Sequence, residues 1–162
     1  MTAYSTTDLL NRVLVVHHRS LPMYLNDAAP WMRRGEKRES ETLQQIARDH
    51  RQVVDRLGTL ILDHNGQVEL GEYPLAFTAY NDVAFDWLLT LLIERQQKLI
   101  QYLQQIADLL GLAPMAKSVV EETVGMAKAH LEMLQDLQPT GSAHSNGQSV
   151  SVPMTHATPA AH

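Results

Sequence analysis

Three histidines interrupt the apolar faces of three different helical patterns. His17, His50 and His130 each stand where the local i, i+3, i+4 repeat calls for an apolar residue. One such residue is ordinarily a buried, hydrogen-bonded histidine of a core. Three that reach one depth from three helices point instead to a metal site. Imidazole suits zinc, iron, copper or nickel, and three or four such ligands fit one ion better than two.

Depth and facing depend on the elements that carry these residues, and four helices are expected. The first spans about Thr7 to Tyr24, with the stripe Leu10, Val13, Leu14, His17, Leu21, Tyr24, and Pro22 kinking or ending it. Asn26 to Arg38 is a connection carrying the turn signals Ala29-Pro30 and Arg34-Gly35. The second helix spans about Ser40 to His64, striped by Leu43, Ile46, Ala47, His50, Val53, Val54, Leu57, Leu60 and Ile61, and Asn65-Gly66 stops it. Gln67 to about Ala79 is a link long enough to cross the height of a bundle, and its Val68, Leu70, Leu75 and Phe77 should pack along the outside. The third helix spans about Asn81 to Leu110, striped by Leu88, Leu91, Leu92, Arg95, Leu99, Tyr102, Leu103 and Ile106. Gly111 ends it and Pro114 opens the next. The fourth spans about Met115 to Leu137, striped by Val119, Val120, Thr123, Val124, Ala127, His130, Leu131 and Leu134.

Short links join the first and second helices and the third and fourth, while a long crossover joins the second and third. This predicts an all-α, ferritin-like four-helix bundle over residues 1–138, followed by a disordered polar tail over 139–162. The tail histidines His144, His156 and His162 are irregularly spaced and form no ligand motif.

At about 1.5 Å rise per residue, His17, His50 and His130 all lie roughly 10–15 Å below the same end of such a bundle. On the third helix the level position falls near Glu94 and Arg95. At about 100° per residue, Arg95 points inward and Glu94 reaches the layer only from its edge. Glu94 is therefore a candidate fourth ligand, with pairing to Lys98 at i+4 as its alternative. An inward Arg95 needs a partner, and Asp49 is a candidate. His18 faces about 100° away from His17, toward surface or interface.

Here the chain resembles the ferritin-like superfamily, the bacterioferritin and rubrerythrin type above all. In LLNRVLVVHHRSLPMYL, Leu10-Asn11 match the family's opening of the first helix, His17 takes the place of its Glu ligand and Tyr24 matches its Tyr. Aligned on Gly66, the second helix puts His50 at the family's Glu and Val53 at its His. Glu94 matches the lone Glu of the third helix. His130 matches the His of the last Glu-x-x-His, where Ala127 replaces the Glu. The resemblance spans about Thr7 to Leu137. It implies the bundle fold and a metal centre, but the bridging carboxylates of a di-iron site are missing.

Composition narrows the function classes. Lys and Arg total 13 against 18 Asp and Glu, a net charge of -5, so neither nucleic acid nor an anionic membrane is an expected partner. No cysteine is present, which removes thiolate ligands and cysteine nucleophiles. The opening MTAYSTTD reads as no signal peptide, and no apolar run approaches a membrane span, so a cytoplasmic protein is expected. Phosphate loops, serine triads and His-x-x-x-His pairs are absent from the sequence.

Two readings stand at this point. In one, a single transition-metal ion, iron or zinc, is held by His17, His50 and His130 with Glu94 optional, in a homodimeric protein with a redox role and no nameable substrate. In the other, a metal-free, degenerate ferritin-like bundle is a structural or interaction module.

Overall fold

The computed structural model describes residues 4–28 and 36–140. Five α-helices account for most of them: α1 (Thr6–His18), α2 (Leu21–Ala28), α3 (Lys37–Asp63), α4 (Phe85–Leu109) and α5 (Pro114–Gln135), with a 3-10 helix at Leu75–Tyr80 before α4. No strand occurs among the described residues, so the fold is all-α. None of these helices is long and apolar enough to cross a membrane. The expected tail and the turn signals at Ala29-Pro30 and Arg34-Gly35 lie outside the described residues.

The expected first helix is two helices. Pro22 has no N–H to offer, so it tolerates only the first turn of a helix. The chain meets this by breaking at Arg19-Ser20 and restarting at Leu21. Ser20 then caps the new helix, accepting from the Met23 N–H at 3.4 Å and, through its carbonyl, from Tyr24 at 3.1 Å. At the other end of α1, Ser5 and Asp8 form a reciprocal capping box.

The stop of α3 at Asn65-Gly66 is as expected, but the two residues divide the work. Asn65 takes the left-handed conformation, with φ 56. Its N–H reaches the Leu62 carbonyl at 2.9 Å, and the Gly66 N–H reaches the Ile61 carbonyl at 2.8 Å, the paired bonds of a Schellman ending. Gly66 is there for close approach: a Cβ would stand 2.8 Å from both Thr7 and Ile61 side-chain carbons.

The link from α3 to α4 is hydrogen-bonded to α1 through Asn11. Asn11 donates to the Gln67 carbonyl at 2.7 Å and accepts from the Glu69 N–H at 2.9 Å. Its apolar residues pack less than expected. Phe77 is buried, but Leu70 and Leu75 are exposed. Each hydrogen bond of a stapling amide contributes about 1 kcal/mol, and an orphaned partner costs more. Asn11→Ala is thus expected to lower stability by about 1–3 kcal/mol, read by urea denaturation, and to raise amide exchange at Glu69.

Three pairings are antiparallel by residue contact. Along α1 and α3, His17 meets His50 while Leu14 lies beside Gly58. Along α3 and α5, Asp49 meets His130 while Arg56 pairs with Glu122, about two turns away in opposite directions. Gln96 of α4 bonds Ala127 of α5 across the hairpin that turns at Leu110–Ala113.

The apolar core falls into two clusters. One gathers Leu10, Leu14, Leu57, Ile61, Leu103 and Val120; the other gathers Leu25, Leu43, Ile46, Leu88, Leu92 and Leu134. Where each of four helices passes from one cluster toward the other, a buried polar residue stands: His17 on α1, His50 on α3, Gln96 on α4 and His130 on α5.

Candidate metal centre

That polar layer is the candidate site. His17, His50 and His130 are each at most 1% exposed. The His17 and His50 rings meet edge to face with centroids 4.9 Å apart, and the His50 and His130 centroids are 5.5 Å apart. The expectation that three helices bring these residues to one depth therefore matches the placement.

Each ring is held by one nitrogen. His17 Nδ1 lies 2.7 Å from the Val13 carbonyl, one turn back on its own helix. A carbonyl only accepts, so Nδ1 carries the proton and Nε2 is a bare lone pair. His130 Nε2 lies 2.8 Å from the Asp49 carboxylate, which fixes the opposite tautomer and leaves Nδ1 bare. His50 Nδ1 lies 2.8 Å from Ser20 Oγ, a group able to donate or accept, so its tautomer is free to follow what its other nitrogen meets. Ser20 is in reach only because α1 breaks before Pro22.

The second nitrogen of each ring is buried without a hydrogen-bond partner among the described residues: His17 Nε2, His50 Nε2 and His130 Nδ1. Buried polar atoms are nearly always paired, so three from one layer call for an explanation. His18 Nδ1 is a fourth such atom, but that ring stacks against Tyr73 and faces away from the layer's three rings.

Burial keeps His17 and His50 neutral. Burial pushes the His17 imidazole down to about 4; its bond to Val13 opposes this, and the neighbouring His130 adds to it. Burial also takes His50 well below its ordinary value, helped by His17 and His130 and opposed by the nearby His17 backbone. Neutral imidazoles are the form that ligates metals.

Two expectations on α4 are corrected. Glu94 does not reach the layer: it is exposed and pairs with Lys98 at 2.6 Å, which holds its carboxyl below the usual range. Arg95 does not point inward either. It is exposed, its guanidinium lies 5.2 Å from the Phe77 ring centre, and Asp49 serves His130 instead. The inward residue is Gln96, which is 3% exposed and donates to the Ala127 carbonyl at 2.9 Å. The burial run Leu88, Leu92, Gln96, Ile100, Leu103 sets the true face of α4, one position round from the one expected. Its signal in the sequence was a glutamine at i+4 from Leu92, easily passed over because it is polar.

The residues present do not fit a di-iron centre. Such a centre needs bridging carboxylates and four further side chains, and the one carboxylate hydrogen-bonded to any of the three rings among the described residues is Asp49, on His130. Nor, among the described residues, are three or more His, Asp or Glu side chains already gathered as a set able to hold an ion. Compared with known proteins, the chain matches no family model and no curated protein.

Proposed function

We propose that the protein is a ferritin-like metal-binding protein whose histidine layer takes one transition-metal ion, zinc or iron, at His17, His50 and His130. The observation that carries this reading is the set of three buried ring nitrogens, one per helix, each unpartnered while its ring is anchored at the other nitrogen. Anchoring by a carbonyl, a hydroxyl and a carboxylate is the usual outer support of metal-ligating histidines. With metal–nitrogen bonds of about 2.0–2.1 Å and tetrahedral angles, the centres of two ligating imidazoles stand about 5 Å apart. The 4.9 and 5.5 Å separations of His50 from His17 and from His130 are close to that. The bound ion would supply Lewis-acid or redox chemistry; the chain itself supplies three imidazole donors, a water-poor setting and no carboxylate donor from Glu94.

Connectivity supports the ferritin-like part of the reading. If α1 and α2 count as one broken helix, α3 runs antiparallel to α5, and α5 antiparallel to α4. Helices α3 and α4 are then parallel, and the link over residues 64–84 must cross the full height between them.

A second reading follows from the same atoms. A water molecule donating to His17 Nε2 and His130 Nδ1 and accepting from His50 Nε2–H would satisfy all three. The layer would then be a metal-free polar seam in an interaction module. The absence of a ready-made ligand set among the described residues favours it.

The tautomer of His50 separates the two. A cation requires a bare Nε2, with Nδ1–H donating to Ser20; a water requires the reverse. Nitrogen-15 NMR of ring-labelled protein should show His50 with its proton on Nδ1 once one equivalent of zinc is added, with shifts at all three ring donors. A zinc-insensitive spectrum with the His50 proton on Nε2 supports the water-filled layer and sinks the metal reading.

A further inference from the structure

Beside the histidine layer lies a cavity of about 400 Å³, bounded by the end of α1, the break at Ser20, Pro74–Phe77 and α4. Its walls are largely apolar, with Val16, Leu92, Leu99 and Phe77 among them. Its charged lining residues among those described are Arg19, Arg95 and Lys98, with no carboxylate among the described lining residues. The chain as a whole carries more acid than base, so this local excess of cations is against the trend. Lys98 is tied to Glu94, but neither Arg19 nor Arg95 forms an ion pair with a described carboxylate. Deeper in the same wall, His50 presents a ring that is 1% exposed and whose Nε2 has no hydrogen-bond partner.

We infer that this cavity is a binding site for a medium-chain monocarboxylate. Its head group sits between the guanidinium groups of Arg19 and Arg95, and its alkyl chain lies along Val16, Leu92 and Leu99. The reasons are size, polarity and charge together. A void of this volume is in the range of small-molecule sites, mostly apolar with few placed polar groups. Guanidinium is the donor best matched to a carboxylate, and both arginines have donors to spare. The apolar walls select against inorganic phosphate or acetate, and the cations select against amines. The inference does not rest on the metal reading, since neither arginine belongs to the histidine layer.

Calorimetry tests it on the full-length protein in EDTA, with saturated carboxylates from hexanoate to tetradecanoate, 1-decanol and decylamine. Saturable binding of one carboxylate per chain is expected, strongest near decanoate, with decanol and decylamine at least about tenfold weaker. Arg19→Gln and Arg95→Gln should each weaken decanoate about tenfold while leaving the melting temperature of the free protein unchanged. Leu99→Trp, which fills the cavity, should abolish binding in a protein that still unfolds cooperatively. No saturable binding by any member of the series overturns the inference. So does decanol binding as tightly as decanoate, or decanoate affinity unaltered in both arginine variants.

Discussion

Acidification from pH 7 to pH 4 is expected to cost the metal-free protein about 3 kcal/mol of stability through His17 alone. An unfolded histidine titrates near 6.5, whereas His17 in the fold titrates at about 4. Between those values the unfolded chain binds the proton and the folded chain does not, so stability falls as pH falls. It is fully present above 6.5, and the loss is complete once the pH is below 4. His50 is shifted in the same direction for the same first cause, burial, and adds to the loss. Urea midpoints measured in EDTA at half-unit pH steps would show a slope confined to this window. A flat profile between pH 7 and 4 would mean that the rings are not held neutral in the fold. Added zinc should raise stability near neutrality and steepen the acid loss, because ligation requires all three rings unprotonated.

The second large effect is expected from replacing the layer outright. In His17→Leu/His50→Leu/His130→Leu, three buried ring nitrogens without partners give way to apolar side chains between two existing apolar clusters. An unsatisfied buried polar atom costs about 1–3 kcal/mol, while an apolar group of similar size adds transfer free energy. Asp49 remains partly exposed and keeps its bond from Gln45, and Ser20 keeps its capping role, so neither is stranded. In EDTA at pH 7 the variant should therefore be at least as stable as the parent, and more so by up to a few kcal/mol. Its acid slope between about pH 7 and 5, above the carboxylate range, should vanish with the histidines. A variant weaker by more than about 2 kcal/mol would indicate that the rings stabilise the fold through their bonds to Val13, Ser20 and Asp49. They would then be structural groups.

What the sequence made legible follows from the physics of burial. Three histidines at inward positions of amphipathic stripes are visible because the surrounding Leu, Val and Ile set the phase of α1, α3 and α5 tightly. Helix α4 is different. Leu88, Leu89, Leu91, Leu92, Ile93, Leu99 and Ile100 spread apolar residues round much of its circumference, so its inward face is ambiguous by about one position, or 100°. That one step exchanges Arg95 for Gln96 and moves Glu94 to the solvent side.

Long-range partners were harder to read. Proximity in the layer makes Asp49 a candidate partner for Arg95, yet its partner is His130, 81 positions along the chain. Ser20 reaches His50 only after the helix breaks at Arg19-Ser20, a detail that Pro22 foretold in kind but not in place. The link after α3 misled for another reason: its apolar side chains are mostly exposed, and a polar residue of α1, Asn11, holds its backbone.

The layer's claim to be a metal centre is tested most directly by titrating the EDTA-stripped, untagged protein with zinc in a calorimeter, beside His50→Ala. One ion per chain is expected to bind in the parent, with no proton released from His17 or His50 at pH 7 because burial already keeps both neutral, and that site should disappear in His50→Ala. No ion bound by the parent, or the same stoichiometry and affinity in both proteins, would contradict it.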